Sequence, residues 1–199
     1  MVSTPQLPRD PAQPDFWDAR FAQGVTPWDA QGAVPAEFAQ WLAATAPLAL
    51  LVPGCGSAYE VRAAAERGWP VQAIDFSALA VARAQAVLGP HAACVRQADF
   101  FALAAPVQAI YERAFLCALP RARWPAWAAQ MAALLPPGGW LVGYFYFDHA
   151  LRGPPFGIAR EALDALLAPH FVLCDEAVPQ ASIQVFEGKE RWMRWQRRA

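Results

Sequence analysis

Residues 48–56 read Leu-Ala-Leu-Leu-Val-Pro-Gly-Cys-Gly, and residues 70–75 read Pro-Val-Gln-Ala-Ile-Asp. The first stretch is an apolar run, Leu48–Val52, stopped by a glycine turn, which predicts a buried strand. The second predicts another strand, Pro70–Ile74, ending at Asp75, 21 residues beyond Gly54. Between them, Ala58–Arg67 has helical spacing and stops at Gly68. Strand, glycine turn, helix and strand make a βαβ unit, the connection that parallel pairing requires.

The alternation continues downstream. A helix is expected over Ala78–Val87, a weak strand over Ala93–Arg96 and a strand within Gln108–Leu116. A helix over Trp124–Leu135 is stopped by Pro136-Pro137-Gly138-Gly139. Strand Trp140–Phe147, helix Arg160–Leu167 and strand Phe171–Val178 follow, then an edge strand over Lys189–Arg197 that makes a terminal hairpin. This pattern predicts an α/β fold with a mostly parallel sheet. Upstream, prolines at 5, 8, 11 and 14 predict a flexible Pro-rich arm over residues 1–14. Asp15 is the expected N-cap of a helix, Phe16–Gln23, ended by Gly24. Trp17 and Phe21 share one face of it. A loop with Trp28 then leads to a helix over Ala36–Ala46, and residues 15–199 form one domain.

Composition narrows the function. Of 199 residues, 56% are hydrophobic and 17% charged, which excludes a disordered chain. The formal net charge of −1 gives no field for nucleic acid or an anionic membrane. The longest apolar run, Gly139–Phe147, is too short to span a bilayer, and the N-terminus does not read as a signal peptide. A cytoplasmic monomer is expected. The four cysteines show no zinc-ligand spacing, so no metal is expected.

The glycine turn Gly54-Cys55-Gly56 lets a ligand approach the backbone at a helix start. In open α/β sheets, ligands sit beyond the carboxyl ends of strands, and an acid placed as Asp75 is accepts both hydroxyls of a ribose. Tyr59 stands where a dinucleotide fingerprint has its third glycine. The combination favours a nucleoside without phosphates, such as S-adenosyl-L-methionine, over a nicotinamide dinucleotide serving an oxidoreductase. Asp99 and Phe100, after the third strand, suit an adenine amine and ring; a helix N-cap explains Asp99 equally well.

Four segments then carry a resemblance. They are Phe16-Trp17 through Gly24-Val25-Thr26-Pro27-Trp28-Asp29, with Gly32 close behind; Val52–Gly56 with Tyr59-Glu60; Tyr111–Leu119; and Gly153-Pro154-Pro155-Phe156 with Ser182-Ile183 and Gly188–Trp192. Spanning about residues 16–195, they resemble class I S-adenosylmethionine-dependent methyltransferases of the thiopurine methyltransferase superfamily. The halide/thiol methyltransferase branch is the most similar. The resemblance implies a Rossmann-like seven-stranded sheet of order 3-2-1-4-5-7-6, strand seven antiparallel, helices on both faces and an N-terminal helical lid over residues 15–46. It implies cofactor contacts from Trp17, Phe21, Trp28, Gly54, Cys55, Gly56, Asp75, Phe76, Ser77, Asp99, Phe100 and Arg113. Phe21 stands where many members have Trp, and Arg113 where halide-type members have Tyr. The loop Asp29-Ala30-Gln31-Gly32 is one residue longer than usual.

Methyl transfer from a sulfonium needs in-line approach and a dry pocket more than an acid or base. No catalytic residue is therefore expected, and His91, His149 and His170 read as solvated. The acceptor is expected to be a small thiol or sulfide, halide or thiopurine, with oxygen or metalloid acceptors as alternatives. Trp28, Phe115, Cys117 and Phe156 are the candidate acceptor-pocket residues. Cys117 reads as an apolar lining residue and not a nucleophile.

Overall fold

The computed structural model describes residues 9–29, 32–150 and 152–199. Its core is a seven-stranded sheet of order β3-β2-β1-β4-β5-β7-β6. The strands are β1 (Leu50–Pro53), β2 (Val71–Asp75), β3 (Val95–Gln97), β4 (Ala109–Arg113), β5 (Trp140–Tyr146), β6 (Phe171–Ala177) and β7 (Glu190–Arg197). The first five pair in parallel, and β7 runs antiparallel to both neighbours. The helices are α1 (Pro14–Gln23), α2 (Ala36–Ala44), α3 (Tyr59–Ala65), α4 (Ala78–Leu88), α5 (Trp124–Leu134) and α6 (Arg160–Leu167). Among the described residues, no helix is long and apolar enough to cross a membrane.

The central strands β1, β4 and β5 are buried on both faces, which explains why they read as continuous apolar runs. Leu50, Val52, Tyr111 and Tyr144 pack with Phe38, Trp41 and Trp69 on the side of α2, α3 and α4. Leu51, Ile110, Leu141 and Phe145 pack with Trp127, Met131 and Leu163 on the side of α5 and α6. In the middle of β5, a Cβ on Gly143 would lie 1.8 Å from the Glu112 carbonyl oxygen. Only glycine lets β4 and β5 approach this closely.

Three expectations are corrected. Asp15 does not cap α1: the helix starts at Pro14, whose fixed φ suits a first turn, and Gln13 holds the cap position without a side-chain bond. The helix thus takes in the last residue of the expected Pro-rich arm, whose residues 1–8 lie outside the described residues. Finally, β7 is not an edge strand. Its alternation reflects insertion between β5 and β6, and β6 forms the edge.

Candidate functional site

A cavity of about 560 Å³ opens beyond the carboxyl ends of β1, β2 and β4. Its floor comes from the loops after these strands: Gly54 to Gly56, Asp75 and Phe76, and Arg113 to Phe115. Ala98 to Phe101, after β3, close one end. Trp17 and Phe21 on α1 and Trp28 in the following loop form the roof. Gly54 has a φ of +59°, and a Cβ there would lie 2.5 Å from Cδ2 of Phe115. The glycine thus serves both the left-handed turn and the packing of the floor.

Asp75 is buried at the centre. Its Oδ1 accepts the Ser77 N–H at 2.9 Å, and its Oδ2 accepts the Gly56 N–H at 3.2 Å. Each carboxylate oxygen has two lone-pair sites, so each keeps capacity for another donor. Burial pushes the carboxyl up to about 6; the Ser77 and Gly56 N–H groups pull the other way, and Asp18 adds to the rise.

The roof is an aromatic cluster. The Trp17 and Trp28 rings meet edge to face at 5.4 Å, and Phe21 meets Trp28 at 6.1 Å. The Trp17 indole donates to the Pro11 carbonyl at 2.8 Å, and Pro11 to Gln13 line the cavity mouth.

The opposite end combines one cation with apolar walls. Arg113 pairs with Glu60 at 3.3 Å, and its guanidinium lies 4.8 Å from the Tyr144 ring centroid. Burial works against the Arg113 charge, but Tyr111, Glu60 and Glu190 outweigh it and hold the pKa above the ordinary value. The Arg113 Nε is buried without a hydrogen-bond partner among the described residues. Tyr144 donates to Glu37 at 2.6 Å, which also accepts the Gln180 N–H at 2.7 Å. Cys117, Pro154, Pro155, Ile183 and Phe186 complete this end. Burial, with Glu112 nearby, pushes the Cys117 thiol far up, so it stays protonated. Glu112 accepts the Phe115 and Leu116 N–H groups at 2.9 Å each and so fixes the loop after β4. Burial raises its carboxyl to about 7 against those bonds.

Thirteen of the residues singled out in the sequence line this one cavity: Trp17, Phe21, Trp28, Gly54, Cys55, Gly56, Asp75, Phe76, Asp99, Phe100, Arg113, Phe115 and Cys117. Two do not. The Ser77 side chain is spent on α4, where it accepts the Ala80 N–H at 3.0 Å, and it donates to Asp18. Phe156 instead lines a neighbouring void of about 10 Å³, its N–H tied to the Cys117 carbonyl at 2.7 Å. Sequence reasoning missed Tyr111, Val185 and Phe186 as cavity residues, and Glu60 as the partner of Arg113. Asp99 accepts the Phe101 N–H at 2.9 Å, so it is a cap as well as a cavity residue.

A family model described as thiopurine S-methyltransferase matches residues 12–198. The chain belongs to this family. Thiopurine S-methyltransferase family relatives include thiocyanate methyltransferase 1 of Arabidopsis thaliana, 31% identical, with 91% of this chain and 84% of the relative covered. A thiopurine S-methyltransferase of Shewanella sp. (strain ANA-3) is also 31% identical, covering 80% of this chain and 84% of the relative. The fold is shared with the S-adenosylmethionine-bound magnesium protoporphyrin IX methyltransferase of Synechocystis PCC 6803. The TM-score is 0.75 at 15% identity, over 98% of this chain and 100% of that one. This thiopurine S-methyltransferase family member is an S-adenosylmethionine-dependent methyltransferase acting on a small nucleophile. That assignment displaces the nicotinamide alternative.

Proposed function

We propose that the methyl acceptor is a small thiol or hydrosulfide, methylated by direct displacement without a nucleophile or base from the protein. The apolar far end of the cavity, with Arg113 as its buried cation, carries this reading. When bound, S-adenosylmethionine supplies an already activated methyl group. The Asp75 carboxylate, with its spare lone pairs, would take the ribose hydroxyls, and Asp99 and Phe100 the adenine. Gly54 to Gly56 would hold the methionine side, beneath the rings of Trp17, Phe21 and Trp28. Arg113 draws the acceptor in as an anion, and the apolar walls exclude water and raise its nucleophilicity. The protonated Cys117 thiol and the three histidines, all outside the cavity, take no part. The charges nearly balance, which supports an enzyme acting on small molecules and not on nucleic acid.

The test is a panel of thiols of different acidity, hydrosulfide, a thiopurine, thiocyanate and iodide, read as kcat/KM across pH. Thiols and hydrosulfide are expected to outrun both iodide and thiocyanate by at least about tenfold. The apparent pKa of each profile should follow the acceptor's own thiol. A single pKa shared by all acceptors would reveal an enzyme base, and a preference for iodide or thiocyanate would overturn the acceptor class.

Asp75 adds a pH prediction with two signs. A carboxyl that holds its proton more tightly in the folded chain than in the unfolded one makes acid favour the fold. The ligand-free protein should therefore melt higher at pH 5 than at pH 7, with Glu112 adding in the same direction. Binding of S-adenosylhomocysteine needs the carboxylate, so its Kd should be flat above about pH 7 and rise up to about tenfold per unit below 6. Calorimetric titration checks this, and Asp75→Asn should flatten the profile.

A further inference from the structure

The roof is fastened to the sheet at two points, and both reach the loops that hold Asp75. On α1, Asp18 accepts the Ser77 hydroxyl at 2.5 Å and the Leu79 N–H at 3.1 Å. Ser77 in turn donates its N–H to Asp75. Beside Trp28, Asp29 accepts the Ser57 hydroxyl at 2.6 Å and the Arg83 guanidinium at 2.7 Å. Ser57 follows Gly56, whose N–H also donates to Asp75. Apolar packing also holds this roof: Phe16 is the one buried residue of α1, and Trp28 packs against Cys117, Tyr146 and Phe186. Polar contacts add to its orientation: the Asp29 side chain is only 5% exposed, and salt reaches the pair through its Arg83 end. Arg83 sits on α4, 38% exposed, and does not line the cavity.

We propose that Asp29 and Arg83 form an electrostatic latch that holds Trp28 over the cavity and sets how fast the cofactor leaves, with Asp18 and Ser77 as the second fastening. The proposal rests on the cofactor reading above. Asp29 and Arg83 are positioning residues: neither needs to touch the reacting atoms, and each acts through the placement of Trp28. Ligand departure requires the roof to lift, which breaks the Arg83 contact. Ligand arrival occurs with the roof already released, so the latch acts on dissociation more than on association.

The test is stopped-flow displacement of S-adenosylhomocysteine from the wild type and from Arg83→Gln, a residue that does not itself line the cavity but bonds to Asp29, which does. Arg83→Gln should raise the dissociation rate about fivefold at low salt, with the association rate little changed. Raising salt from about 0.05 M to about 1 M should speed the wild type toward the variant and leave the variant nearly unmoved. Hydrogen exchange over Gly24–Trp28 should quicken in the variant. The exchanged pair Asp29→Arg with Arg83→Asp should recover part of the slow dissociation. Equal dissociation rates at every salt concentration would overturn the latch, as would a fivefold change accompanied by the same salt slope in both proteins. A wild type that does not bind S-adenosylhomocysteine would instead refute the cofactor reading, and the latch with it.

Discussion

Asp75→Ala is expected to weaken binding of S-adenosylhomocysteine by about 10- to 150-fold while the protein stays folded. Charge-assisted hydrogen bonds of this kind contribute roughly 1.5–3 kcal/mol, which sets that range. The substitution also frees the N–H groups of Gly56 and Ser77, which the carboxylate now holds on either side of the cavity. Stability should move the other way. Burial lifts the carboxyl to about 6, so its ionisation near neutral pH works against the fold by about 3 kcal/mol. Asp75→Asn removes the charge and should flatten this part of the pH dependence of melting, although its amide nitrogen cannot accept one of the two N–H groups that the carboxylate holds. On the proposed cofactor reading the ribose bonds would be present before and during transfer, so KM for S-adenosylmethionine should rise and kcat at saturation stay close to wild type. Wild-type affinity in the alanine variant would show that Asp75 serves only its two backbone donors.

Removal of residues 1–30 is expected to abolish cofactor binding, a loss beyond about 100-fold, without unfolding the sheet. The truncation takes away Trp17, Phe21 and Trp28, which roof the cavity, together with both fastening aspartates. Neither large apolar cluster contains a residue of α1, so the strands and the other helices keep their packing. Circular dichroism and thermal melting follow the fold, and titration follows binding. If the truncated protein binds S-adenosylhomocysteine normally, these rings are ordinary packing.

The strands were legible because two-sided burial writes itself as runs of apolar residues, as in Leu50–Pro53 and Trp140–Tyr146. Asp75 was legible for the same reason: a carboxylate at the end of such a run interrupts the pattern. Contacts between distant segments left no such trace. Tyr144 and Glu37 are 107 residues apart, and Arg83 and Asp29 are 54 apart. No spacing rule joins a tyrosine inside β5 to a glutamate on α2. Ser77 illustrates a different limit. A serine beside a strand-end aspartate reads equally as ligand contact or helix cap, and the structure shows its bond to the Ala80 N–H. The place of Phe156 beside the cavity left no trace in the sequence because a loop's direction depends on its tethers, here the Cys117 carbonyl and the two Arg121 bonds to Ala150 and Gly157.

The position of β7 has a consequence for biosynthesis. The strand that β6 pairs with is made after it, since β7 lies between β5 and β6 in the sheet. As the chain leaves the ribosome, β5 docks on β4 and then presents an open edge, while β6 emerges with no neighbour to join. Both edges stay unsatisfied until Glu190–Arg197 has been synthesised. Nascent chains stalled in this interval carry two templates for intermolecular pairing. Completion of β7 pairs both in one step, so the last two strands enter the sheet by a single antiparallel insertion.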